Sequence, residues 1–100
     1  MRSFSERLQA VLSKGNLRVA DVARIFARPH STVNGWAQRG LNPSGGPADV
    51  EDAYVMLGKL ESYLQRSKML PVPTKLSPLN RIKFIKKLRH LMLSPPGTKL

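Results

Sequence analysis

The sequence predicts an all-α protein: a body of about four helices, then a Pro-rich connector and a basic C-terminal helix. Three observations carry that expectation. Apolar residues recur at helical spacing throughout the segment before residue 68, and no stretch alternates with a period of two. Capping and chain-breaking residues fall at the ends of the periodic segments. The 41% apolar content suits one packed core and excludes wholesale disorder, and at 100 residues folding buries roughly two-thirds of the extended-chain surface.

The elements follow in order. Ser3 with Glu6 forms a capping box, and Phe4, Leu8, Val11 and Leu12 share one face of a helix that Gly15 can end. A short second helix, 19–26, places Val19, Val22, Ala23 and Phe26 on one side. Pro29 opens a third, 30–39, and Gly40 closes it. The stretch LNPSGGP (41–47) is loop by composition. A fourth helix, 48–66, gathers Val50, Ala53, Tyr54, Leu57, Leu60 and Leu64 in one arc. Glu61 falls inside that arc, where a lone carboxylate is costly. An ion pair with an Arg or Lys of the first or fifth helix, or of a second subunit, is expected there. Met56 and Tyr63 lie off the arc, a second apolar patch suited to a dimer contact.

Pro71, Pro73 and Pro78 make 68–78 an extended connector, an arm able to reach away from the body. Ser77 caps a fifth helix that runs from 78 or 79 to 93. One side of it carries Lys83, Lys86, Lys87 and His90, the other Leu79, Ile82, Ile85, Leu88 and Met92, with Arg81 and Arg89 interrupting the apolar side. The division expected is therefore a body at 1–67, the connector at 68–78, the basic helix at 79–93 and a disordered tail at 94–100.

Charge narrows the function. Seventeen Lys and Arg stand against six Asp and Glu, for a net +11. Residues 48–67 are net acidic and the flanks basic, so the middle reads as an internal packing element. A charge this large on a small body points to a polyanionic partner, most often nucleic acid. No run of 18 apolar residues suggests a membrane span, the N-terminus lacks a secretory pattern, and cysteine is absent. The expected location is the cytoplasm of a bacterial or phage-infected cell, without a membrane partner.

Residues 19–38 carry the motif. Val19, Val22, Phe26, Val33 and Trp36 are apolar where two short helices would face each other, and Ala23 is small where they would come closest. The run RVADVARIFARPHSTVNGWAQRG resembles the helix-turn-helix of small bacterial and phage DNA-binding proteins. It is similar to resolvase, transposase and MerR-type domains, in which an arginine, a small polar pair, Thr-Val and Trp recur. Ala27 departs from the glycine usual at the turn. The resemblance implies sequence-specific binding of double-stranded DNA, in transcriptional regulation or as a recombination accessory factor.

Helical angles assign the surface. With Val33 as origin and about 100° per residue, Trp36 and Ala37 turn inward while Ser31, Asn34, Gly35 and Gln38 turn outward, with Arg39 at the edge. Asn34 and Gln38 are suited to pair with adenine edges, and Gly35 to let the helix approach the groove. Thr32 completes the candidate reading set. Arg28 and His30, at the helix start, suit a phosphate. Lys83, Lys86 and Lys87 suit the DNA backbone, while the helix that carries them also offers a face to a protein partner.

Other constellations are weaker. Trp36 as a stacking platform is disfavoured by its place beside Val33. Asp49, Glu51 and Asp52 occupy a helix first turn, where amide dipoles stabilise acids without any catalytic role. No Gly-rich phosphate loop, metal-spaced cluster or nucleophile–base pair is present, so neither an enzyme, a cofactor nor a metal is expected. A homodimer or higher homo-oligomer is expected, since one recognition helix covers few base pairs. The competing class is a phage small-terminase-like packaging protein, which also binds DNA but assembles into a ring.

Overall fold

The computed structural model describes residues 2–93, so the tail expected at 94–100 lies outside the described residues. Five helices follow one another: α1 (Phe4–Gly15), α2 (Val19–Phe26), α3 (His30–Gln38), α4 (Pro47–Arg66) and α5 (Pro78–Leu93). No strand occurs among the described residues, and the chain is all-α. Nor is any described helix long and apolar enough to cross a membrane.

Local chemistry sets the helix ends. The Glu6 amide donates to Ser3 Oγ at 3.2 Å and the Ser3 amide to Glu6 Oε1 at 3.3 Å, closing the capping box of α1. The helix ends at Gly15, as expected. It includes Gly15 and turns at Asn16, which adopts φ 50°, a left-handed conformation that Asn tolerates well. Pro47 at the first position of α4 and the acid Asp49 in its first turn suit a helix N-terminus.

Phe4 links three helices. Its ring meets Trp36 of α3 at 5.2 Å and Tyr54 of α4 at 5.0 Å, both edge-on, and Phe26 of α2 reaches Trp36 at 6.0 Å. Leu8, Val22, Ile25, Val33, Leu57, Leu60, Ile85 and Leu88 complete the fully buried interior. Each such side chain contributes about 1.5–3 kcal/mol by leaving water. Met56 does not form an exposed patch with Tyr63: it is buried, and the half-buried Tyr63 hydroxyl lies 3.6 Å from Met69 Sδ. Met56 shares the inward face of α4 with Ala53, Leu57 and Leu60, and Met69 of the connector lies against Tyr63.

The connector itself overturns the expectation of a free arm. Leu70 and Val72 are buried in the core, and Leu70–Pro71 is a cis peptide. The Val72 amide donates to Gly15 O at 2.8 Å, and Asn16 Nδ2 donates to Val72 O at 2.7 Å. The connector is thus paired to the end of α1 through its backbone. Its prolines set an extended path; the apolar residues between them bury it.

Helix α5 packs on α2 and α4, with Ile85, Leu88 and Met92 of the expected face buried and Ile82 partly so, but with two departures. Leu79 is largely exposed, and the inward residues are Arg81, Ile85, Leu88 and Met92. Arg81 does not interrupt the contact; it anchors it. Its guanidinium grips the buried Asp21 of α2, with Nη2 2.6 Å and Nε 3.0 Å from Oδ2, and Nη2 also reaches Asn16 O at 2.8 Å. Eight residues later Arg89 Nε donates to Ile25 O at 2.9 Å, satisfying a carbonyl in the last turn of α2. Helix α2 is held at both ends by α5.

Glu61 finds its partner in the first helix. Arg7 donates to it through Nε at 3.1 Å and Nη2 at 2.5 Å. This hydrogen bonding, opposed by partial burial and supported by the carboxylate charge, raises the Arg7 pKa above its already high value.

Candidate nucleic-acid interface

Helices α2 and α3 meet through Val22, Phe26, Val33 and Trp36, all buried, across a turn at residues 27–29. Ala23, also buried, is the small residue of α2. Ala27 takes φ 54°, and its amide bonds back to Ala23 O and Arg24 O. An alanine therefore holds the left-handed position at which glycine is the usual residue, at a cost of about 1–2 kcal/mol. The result is a sharp redirection of the chain into α3, whose C-terminus is in turn fastened to α1 by Gln9 Nε2 on Ala37 O at 2.6 Å.

The outer side of α3 divides into two parts. Along one flank His30, Ser31 and Gln38 are exposed and Asn34 is half-buried, with Arg39 exposed just after the helix and Thr32 half-buried. Gln38 opens onto a shallow cleft shared with Gln9, Ser13 and Arg18. Trp36 and Ala37 are buried on the opposite side.

Gly35 departs from expectation. It is buried, because Leu41 from the following loop folds back over it: a Cβ on Gly35 would come within 3.0 Å of Leu41 Cδ1. The Leu41 amide bonds to Gly35 O at 3.1 Å, and Gly40 at φ 68° makes the reversal possible. Gly35 thus seats Leu41, and the half-exposed Leu41 takes its place at the surface. Nothing in the helical spacing reveals this, since it depends on the path of the loop.

Arg28 also departs from expectation. It is largely buried, and Nη2 donates to Asp49 O at 2.8 Å and lies 3.7 Å from Asp52 Oδ2. It fastens α4 to the α2–α3 turn and does not stand as a free phosphate ligand. Arg24 is the residue that angular reasoning overlooked. It is exposed and lines an open cleft of about 310 Å³ with His30, Arg28 and three alanines, beside the N-terminus of α3. A cation three residues before the turn, with small residues around it, was the available signal.

Lys83, Lys86 and Lys87 are exposed along α5. Because Arg81 and Arg89 fix α5 to α2, these lysines have a set relation to α3. The arrangement offers an amide-rich helix start with Arg24 and His30, a polar flank with an apolar spot at Leu41, and a separate row of cations.

Comparison with family models, curated proteins and solved structures finds no match for this chain.

Proposed function

We propose that this protein binds double-stranded DNA through a helix-turn-helix formed by α2 and α3, acting in transcriptional regulation or as a recombination accessory factor. The observation that carries the reading is the two-sided character of α3. Val33, Trp36 and Ala37 are sunk in the core, while Ser31, Asn34 and Gln38 form an accessible polar flank at helical spacing. A helix so mounted lays its outer side in the major groove, where Asn34 and Gln38 read adenine edges. Leu41 supplies an apolar contact of the kind made with thymine methyl groups. His30, Arg24 and the first amides of α3 take a phosphate. Lys83, Lys86 and Lys87 follow the backbone from α5, and the net +11 adds long-range attraction.

Selection from random duplexes with sequencing of the bound fraction tests the whole reading. The expected result is an enriched motif whose information disappears when Asn34 and Gln38 are both replaced by Ala. Recovery of unenriched sequence, or equal binding of duplex and single strand, would overturn it.

A further inference from the structure

Helix α4 buries Ala53, Met56, Leu57 and Leu60 against α1 and α5 and leaves its other side bare. With Val55 as origin and about 100° per residue, Ala48, Glu51, Asp52, Gly58, Lys59 and Ser62 all fall within about 60° of it. Val55 itself is 46% exposed, and Tyr54 borders it at 41%. Charge along this side is polarised. Glu51 and Asp52 occupy the first half and Lys59 and Arg66 the second, while Asp49 and Glu61 lie about 120° away and Glu61 is already taken by Arg7. Among the described residues Glu51 and Lys59 have no ion-pair partner, and Asp52 has only the 3.7 Å approach of Arg28.

We infer that this side of α4 is a two-fold interface between two copies of the chain. A two-fold axis level with Val55 sets the helices antiparallel and brings Lys59 of the second copy level with Glu51 and Asp52 of the first, and the reverse at the other end. The pattern is self-complementary in that orientation alone: parallel pairing would put acid against acid and base against base. Gly58 fits the same picture. A Cβ there would meet nothing within 4 Å, so the chain's own packing gives no reason for a mid-helix glycine. In the pair, Gly58 stands opposite the partner's acidic half and leaves room for its side chains. An isologous contact of this kind closes at two copies. The pairing does not depend on DNA binding, since no residue of α3 or α5 takes part.

Sedimentation of the full chain without DNA, across a concentration series, is the test. The native protein is expected as a dimer. Lys59→Glu alone, and Glu51→Lys with Asp52→Lys, should each raise the dissociation constant roughly tenfold or more by opposing like charges. Mixed one to one, the two variants should form a heterodimer, because every charge at both ends is then matched. All these positions are exposed, and helical circular dichroism verifies that each variant folds. A native chain that stays monomeric at about 100 μM, well above the micromolar range of a moderate interface, would overturn the proposal. So would a ring of eight or more copies, dimers indifferent to both variants, or a mixture that fails to pair.

Discussion

Asp21 and Arg81 show how a single pair can decide an element's place. Both side chains are almost fully buried, at 3% and 10% exposure, with every carboxylate oxygen engaged. Replacing Arg81 by Met leaves Asp21 without its cation, and a loss of about 3–5 kcal/mol is expected in urea unfolding. Asp21→Leu with Arg81→Met together should cost less than either single change, because no lone charge is then buried. Arg7 and Glu61 behave differently, since each is about a third exposed. Glu61→Gln is expected to cost about 1 kcal/mol or less by the same measurement. The raised pKa of Arg7 has a definite sign: while the Glu61 carboxylate is charged, its share of stability is present below the ordinary arginine range and is lost as pH rises into strong alkali. Ala27→Gly relieves the left-handed alanine and should stabilise by about 0.5–1 kcal/mol, read as a higher Tm.

Among the elements, α3 and α5 are expected to fail in distinguishable ways. Replacing Asn34 or Gln38 by Ala should cost about 1–3 kcal/mol on a preferred site and little on random DNA, measured by fluorescence anisotropy on both. Replacing Lys83, Lys86 or Lys87 should weaken both alike and reduce the salt slope by about 0.9 for each phosphate no longer neutralised. The helices themselves were readable in the sequence because their ends carry local signals: the Ser3 box, Pro29 and Ser77. The pairing of Glu61 was also foreseeable, since burial of a carboxylate demands a cation. The seating of α5 was not. Periodicity identifies Arg81 as a polar residue on an apolar side, but it does not reveal that Asp21, sixty positions earlier, waits opposite. Leu41 over Gly35 was hidden for a related reason: a loop's direction is set by the body it closes on. Arg28 looked like a phosphate ligand until the acidic start of α4 was placed beside it.

For the molecule as a whole, the excess of cations predicts that log K for DNA falls linearly with log salt at roughly −0.9 per neutralised phosphate. An affinity that is the same at low and high salt would remove the electrostatic part of the reading. The grip of Arg81 on Asp21 also bears on how the protein is made. At about 5–20 residues per second, the ribosome delivers Arg81 some 3–12 s after Asp21. Until then Asp21 cannot be buried against its counterion, so α2 reaches its final packing only once α5 has been made. A chain cut before α5 would lack the cation that Asp21 is buried against and is expected to be cleaved faster by a protease in vitro than the intact one.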